Sequence, residues 1–547
     1  VRGSPFLYDN FTDGLNTIDA PFAIQDSEAR DAINVAATPR GSIQKRLGTI
    51  AFTPTPPAVE LTSIQPIAIA GVRSLIAVGG TKIYRISAAG AATDITGSAT
   101  VTAGSRWCIV QAPVSTGYPG QGPVYMSNGI DPPLQWTGTG NVTAWNGVSD
   151  GNHYGTAPYV PNGAYMIFHE NRIWMTGVAG DPSAVWFSDL ITAGASGGVG
   201  DPSSWPLVNF IRFDSFDGKP ITGIGEAGPW ILVFKEFKSW VITDPNGQVA
   251  RQLDDGVGCI AHRSIAGGVD GTYFLTSDRG IYVTSGTKIG EAGYKVRPTI
   301  LAINQANRAN ACATVYNNHY YLSFPLGSST QNNRTLDYDE QLKSWWLHDL
   351  VANDFAIFDP VAAPMLYAAL PGSGTGIAQW LAAGVYTDLG VPYAGQNGFS
   401  AYWLAGWQRF YEYFLRHRLP MPMVKKRVRQ VYFTGNGLIV PMIAKNFKAG
   451  LPQYPATVNN QDQAYPTLPV NFMQQPPELF GNPDTAQLFG GTTYGGATMI
   501  FGGLSPIGDA RIYAPGIAEE WSVGFGNATA DPFRVDAYSY AISTRKS

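Results

Sequence analysis

Residues 75–86 read LIAVGGTKIYRI. Two short runs rich in β-forming residues face each other across Gly79 and Gly80, and glycine supplies the positive φ that a tight hairpin turn requires. The same signal returns along the chain. It appears at 124–136 around Asn128 and Gly129, at 167–175 around Asn171, and at 230–242. It continues at 273–283 around Asp278, Arg279 and Gly280, at 315–324 around Asn317 and Asn318, and at 366–380 around Gly372, Gly374 and Gly376. The intervals are roughly 40–60 residues, the range in which repeats build propellers or solenoids. Four-stranded blades, each with its best strand pair showing through, give this spacing. The expectation is a mainly β chain with a six- or seven-bladed β-propeller over residues 51–385.

Composition bounds what such a platform does. Of 547 residues only 14% are charged, while 63 are glycine and 39 proline. A typical soluble protein carries roughly 25% charge, so this surface suits either an extracellular β protein or a subunit covered by neighbours. The net charge of −4 excludes a broadly basic nucleic-acid footprint. It still allows DNA to slide past, because a conduit should not hold phosphates. Three cysteines, Cys108, Cys259 and Cys312, have no metal-ligand spacing and read as free buried thiols, in keeping with assembly in a reducing cytoplasm. No charged-then-apolar leader opens the sequence. The most apolar stretch, 64–78, is broken by Pro66, Gly71 and Arg73, so no membrane span is expected.

Around the hairpin series lie two other regions. Residues 1–50 form an N-terminal arm of short apolar islands, joined through the proline-rich stretch 53–57, which reads as an extended linker. Residues 386–547 form a C-terminal β-rich domain. It opens with aromatic residues from Trp403 to Phe414 at helical spacing, which are also good strand formers. A Gly/Pro-rich excursion follows over 449–516, and strand-like runs close the chain at 520–525 and 533–542.

Candidate chemistry is sparse. Thr276, Ser277, Asp278 and Gly280 match half of the Asp-box of sialidase-type propellers, but Val283 stands where the aromatic belongs, and a hairpin turn explains the residues. Asp254 with Asp255, and Asp337 with Asp339 and Glu340, are the visible carboxylate pairs for glycoside hydrolysis; exposed turn acids are the plainer reading. Six histidines, His153, His169, His262, His319, His348 and His417, show no metal spacing, and a Ser–His–Asp triad stays open. Gly194 to Gly198 matches Gly-x-Ser-x-Gly but lacks the flanking strand and helix of a nucleophile elbow. Asp214 to Gly218 lacks the middle ligand of a calcium loop. No nucleotide loop is present. The expectation is a non-enzyme with no cofactor and no metal. The basic run of Lys425, Lys426, Arg427 and Arg429 could meet phosphate, but a solvated strand end or an ion pair between subunits is plainer.

The arm carries the residues that point to a role. Phe11-Thr12-Asp13-Gly14-Leu15-Asn16 is followed by Asp19-Ala20-Pro21-Phe22, then Asn34-Val35, then Lys45-Arg46-Leu47-Gly48. Further on come Leu336-Asp337-Tyr338-Asp339 with Ser344-Trp345-Trp346-Leu347-His348, then Asp388-Leu389-Gly390-Val391-Pro392-Tyr393, Tyr402-Trp403 and Lys426-Arg427-Val428-Arg429. This ordered set resembles tail proteins of tailed bacteriophages, nearest to the tail nozzle, or tail tubular protein B, of short-tailed phages. The resemblance implies a virion structural protein of the tail, assembled in the host bacterial cytoplasm. It implies a homo-oligomeric ring, a hexamer, below the portal and adaptor ring. That ring continues or closes the DNA channel for DNA ejection and anchors tail fibres or spikes. Asp19, Phe22, Asn34, Lys45, Arg46, Lys425 and Arg427 are the expected interface residues, and the strand-forming segment 43–50 is expected to extend a neighbour's sheet edge. The alternatives are a tail-tip propeller of a long-tailed phage that binds the host surface, and a glycan-degrading propeller enzyme.

Overall fold

The computed structural model describes residues 6–20, 23–69, 71–112, 122–155, 157–192, 201–244, 246, 249–277, 280–360, 363–388, 399, 401–405, 426–445, 465–466, 470–471, 508–513, 521–527 and 532–544. Two compact units emerge: residues 49–341 with 349–382, and residues 1–48 with 342–348 and 383–547.

The first unit contains a run of small antiparallel meanders. Seven four-stranded sheets are present among the described residues. Their first strands are Leu61–Ile69, Cys108–Gln111, Tyr165–His169, Gly223–Ala227, Ala266–Gly267, Cys312–Tyr316 and Asp354–Phe358. Each first strand lies beside the first strand of the next sheet, and Asp354–Phe358 lies beside Leu61–Ile69, so the circuit closes. The fold is therefore mainly β and propeller-like. Each of the seven sequence hairpins falls in a different sheet. Their turns follow from local chemistry. Gly80 takes φ 56°, while Asn317 and Asn318 take 52° and 62°, the left-handed pair that asparagine tolerates in a two-residue hairpin.

The core is not one mass but a series of wedges between neighbouring sheets. Ile76, Val78, Val124, Met126 and Trp136 fill one wedge, and Trp174, Phe187, Ile231, Val233 and Trp240 another. Tyr273 and Tyr320 stack at 4.9 Å in a third. Alternation along each strand puts one face into each wedge, so every sheet is buried on both sides.

The seventh sheet, Asp354–Phe358, Met365–Ala369 and Ile377–Ala382, takes its fourth strand from Gly48–Ala51. The chain then stays on that sheet. Phe52 N–H donates to Ile377 O at 2.9 Å, Ile377 N–H to Thr53 Oγ1 at 3.0 Å, and the Phe52 ring packs on Tyr367 at 4.6 Å. The stretch expected to be a linker therefore begins as a pinned segment, with Thr53 buried. The borrowed strand gives the last sheet the same four strands as the other six.

The second unit is a single sheet that draws on both ends of the chain. Glu28–Ile33 pairs with Ala401–Ala405, which pairs with Trp521–Asn527. The 20-residue strand Lys426–Lys445 pairs with Trp521–Asn527, Gly508–Tyr513 and Phe533–Thr544. Phe6–Tyr8 and Ile43–Lys45 add to Phe533–Thr544. An aromatic cluster of Phe11, Trp403, Phe433, Phe525 and Tyr538 forms its core. The arm expected over 1–50 and the C-terminal region expected over 386–547 thus share one sheet. The segment 43–50, expected to extend a neighbour's sheet, pairs within its own chain, because both of its strands find open edges there. Trp403 lies on a strand rather than a helix; the rest of the aromatic run, to Phe414, lies outside the described residues. No helix among the described residues is long and apolar enough to cross a membrane.

Candidate functional site

The circuit of first strands encloses a cavity of about 440 Å³. Its lining mixes residues of the wedges between sheets, such as Ile109, Met166 and Ile224, with polar ones, Gln65, Glu226, Thr272 and His262. Its floor is polar. Arg263 leaves the short turn His262–Ser264 between the fourth and fifth sheets and reaches the opposite side of the circuit. There it pairs with Asp354 of the seventh sheet and donates to Ser63 Oγ at 2.9 Å and Trp107 O at 2.6 Å. Asp354 Oδ2 also accepts from Ile64 N–H at 2.7 Å. Burial disfavours the Arg263 cation, but Asp354 outweighs that and holds its pKa above the ordinary value. One guanidinium thus ties four parts of the circuit together across its centre.

Beside it sit His262 and Cys108. The His262 ring packs on Tyr165 at 4.6 Å, and Nε2 is 3.8 Å from Cys108 Sγ. Burial and then the neighbouring Arg263 pull the imidazole pKa down to about 3, and burial pushes the Cys108 thiol up. Both groups are neutral, the reverse of the thiolate–imidazolium pair that makes a nucleophile. Cys259 and Cys312 are free and buried, as expected; Cys108, also expected to be buried, is free but partly open to the cavity.

Asp337, Asp339 and Glu340 are not exposed turn acids; all three are buried. Asp337 pairs with His319 Nδ1 at 2.7 Å. Glu340 Oε1 accepts from Val269 N–H at 2.8 Å and Tyr273 Oη–H at 3.0 Å, which ties the sixth sheet to the fifth. They are committed to packing, because antiparallel pairing of Arg334–Asp339 with His319–Phe324 brings the imidazole to Asp337. Asp214 and Asp217, in the loop that lacks a calcium ligand, meet Lys238 and Lys235 instead. Among the described residues no group of three or more His, Cys, Asp or Glu is placed to hold a metal. Asp278 and the Gly194–Gly198 match lie outside the described residues.

Sequence spacing gave no hint of one arrangement. Asp150, His153 and Ser204 stand in triad order: Asp150 Oδ1 is 2.6 Å from His153 Nδ1, and His153 Nε2 is 3.1 Å from Ser204 Oγ. Ser204 has no exposed surface, and its hydroxyl donates to Asp189. The proton that a general base would remove is already given to a carboxylate, and no substrate reaches the oxygen. The arrangement locks the long connection in the third sheet.

The expected interface residues fall into four groups. Asn34, Lys45 and Arg46 are buried inside the second unit rather than displayed on its surface. Arg46 pairs with Asp388 and donates to Asn34 Oδ1 at 2.8 Å, and its guanidinium lies 3.7 Å from the Phe399 ring centroid. Asn34 takes φ 58° to present that oxygen. Lys45 Nζ donates to Phe399 O and Asn527 Oδ1, both at 3.0 Å. Burial of these cations is stabilised by acceptors on every side. Asp19 is exposed and accepts from Asn16 Nδ2 at 2.9 Å. Arg427 lies on a strand with its backbone opposite Ser543; Phe22 and Lys425 lie outside the described residues.

No protein-family model matches the chain, and no curated protein matches it. Among solved structures the chain is similar to PorZ of Porphyromonas gingivalis, a bacterial surface component of the type-IX secretion system. The identity is 13%, the TM-score 0.36, and the match covers 65% of this chain and 43% of that one. This chain therefore spans less than half the length of that protein. A likeness this loose carries no functional argument.

Proposed function

We propose that the chain is a non-enzymatic structural subunit of a bacteriophage tail: a seven-bladed propeller carried by a subunit that assembles with its own copies into a ring, a hexamer. The ring would sit below the portal and adaptor, continue the DNA channel, and hold fibres or spikes. The observation that supports this reading lies in the second unit. Segments far apart in the chain that carry the phage-tail resemblance lock into one another there. Arg46 of the Lys-Arg-Leu-Gly segment bonds Asp388 and Asn34. Gly48 N–H donates to Val385 O at 2.7 Å, and Asn34 N–H to Leu347 O at 2.9 Å. Phe11 meets Trp403 edge to face at 5.0 Å. Residues picked out only by their order in the sequence thus behave as one interdependent set.

Low charge and a Gly/Pro-rich chain fit a subunit covered by neighbours. With Arg263 and Asp354 across the floor of the cavity, the channel in this reading runs between subunits and not through the propeller centre. Mass spectrometry of purified virions that encode the chain, followed by electron microscopy, tests the proposal. A six-fold ring at the head-proximal end of the tail is the expected result. Absence of the chain from the particle overturns the reading, and sugar released from host capsule by the purified protein overturns its non-enzymatic part.

A further inference from the structure

We propose that the unpaired guanidinium of Arg106, set among the beginnings of the first strands, is the binding site for a small free oxyanion such as phosphate or sulfate. The inference is independent of the phage-tail reading.

Topology gives the place. Arg106 stands two residues before Cys108, which opens the first strand of the second sheet. Cys312 and Asp354 open the first strands of the sixth and seventh sheets, and Glu60 immediately precedes that of the first. These sheets are neighbours in the circuit, sixth beside seventh, seventh beside first and first beside second. Cys312, Asp354 and Glu60 all act on the Arg106 charge, as does Arg263 from its turn.

Arg106 itself is half-buried and has no partner. Among the described residues its guanidinium makes neither a hydrogen bond nor an ion pair, and of its three nitrogens Nη1 is the one closed to solvent. Nε and Nη2, equally unbonded, therefore keep open surface. Together they form the side-on fork that meets two oxygens of one anion.

The neighbouring carboxylates do not fill that fork. Asp354 is taken by Arg263 and Ile64 N–H. Glu60 Oε1 accepts from Asn353 Nδ2 at 2.7 Å, and its Oε2 from Gln331 Nε2 at 3.2 Å. Burial and then the Arg263 cation pull the Arg106 pKa below its ordinary value, and Cys312, Asp354 and Glu60 offset only part of this. A guanidinium without partners beside a second guanidinium is costly to hold. Water in the fork would satisfy donors but leave the two cations opposed; an oxyanion relieves both. Two arginines and two carboxylates sum to no net charge, which lacks the basic footprint that a strand of phosphates needs. The chemistry therefore fits a single free ion.

Inorganic phosphate and the full chain test the site. Phosphorus NMR linewidths and calorimetry should show saturable binding, displaced by sulfate but not by chloride at equal ionic strength. Arg106→Met keeps the stem and should weaken phosphate about tenfold or more. Arg106→Lys keeps the charge without the fork and should recover only part of the loss. Glu60→Gln removes an opposing charge and should tighten binding about threefold. Should a variant fail to fold, the wild-type protein still decides: phosphate should slow phenylglyoxal modification of Arg106, read by peptide mass spectrometry. The proposal is overturned by absence of saturable phosphate binding, by Arg106→Met that binds phosphate unchanged, or by Arg106 modification at an unchanged rate under saturating phosphate. A short single-stranded oligonucleotide that protects Arg106 at lower concentration than phosphate overturns the assignment to a free ion.

Discussion

The two units of this chain are both sheets, yet they are assembled on opposite plans. In the propeller-like unit, strands pair with their sequence neighbours, as when Val72–Gly79 pairs with Leu61–Ile69 and Lys82–Ser87. In the other unit, Phe6 lies opposite Tyr540, and Ala29 opposite Ala405. Local pairing lets a turn residue dictate register. Distant pairing leaves register to a few interlocking side chains, here Asn34, Lys45, Arg46 and Asp388. The first plan spreads stability over many repeated wedges; the second concentrates it.

Arg46→Ala puts the largest strain on that contrast. Removing a buried cation from Asp388, Asn34 and the Phe399 ring should cost about 3–5 kcal/mol. Hydrogen exchange should accelerate in Glu28–Ile33, Ala401–Ala405 and Trp521–Asn527 while Trp230–Phe234 stays protected. Asp354→Ala, which strands Arg263, should give the mirror pattern at similar cost. Equal loss of protection in both units from either variant would falsify the view that their stabilities are separately built.

A smaller effect comes from His319. Burial lowers its pKa, but Asp337 and then Asp339 more than reverse that and lift it to about 9. A folded-state value above the ordinary 6.5 means that the cation is bound more tightly in the folded protein. The stabilisation is complete below pH ~6.5 and is lost as pH rises through ~9. Its full size is about 3.5 kcal/mol at one pKa unit per ~1.4 kcal/mol. Urea midpoints followed from about pH 6 to about pH 10 should fall across that window, and Asp337→Asn should flatten the fall. An unchanged slope in that variant would remove His319 as its source.

The smallest effect is expected at the closed triad. Ser204→Ala should cost about 1–2 kcal/mol, the worth of hydrogen bonds lost to Asp189 and His153. A fluorophosphonate should label neither the parent protein nor the variant. A covalent adduct on Ser204 would show that the long connection opens.

These contrasts also say what the sequence can reveal. The seven hairpins were legible because turn chemistry is local: Asn317 with Asn318, Gly80, and Asn171 each announce a reversal within a dozen residues. The completion of the seventh sheet was not, because Gly48–Ala51 carries no sign of a partner more than 300 residues away. At the candidate site, Cys108 and His262 looked unrelated, since only closure of the circuit brings them to 3.8 Å. Asn34, Lys45 and Arg46 were singled out as interface residues and lie buried within their own unit. Their burial was missed because Lys45 and Arg46 read as surface charges until Phe399, Asp388 and Asn527 surround them. Asp337 and Asp339 misled for the same reason, with His319 supplied from a neighbouring strand.

The borrowed strand of the seventh sheet also orders events in time. A ribosome releases Gly48–Ala51 before any of the seven sheets is complete, and Ile377–Ala382 after six of them have had the chance to form. Through most of synthesis the nascent chain therefore carries unpartnered strands at its start, Gly48–Ala51 with Phe6–Tyr8, Glu28–Ile33 and Ile43–Lys45, and an open row of sheets behind them. Closure is a late, long-loop event, slower than the local hairpins that precede it. Until it happens the protein presents free edges to its surroundings. Translation past residue 382 thus frees the propeller-like unit to close, while Phe6–Tyr8 and Ile43–Lys45 still wait for Phe533–Thr544.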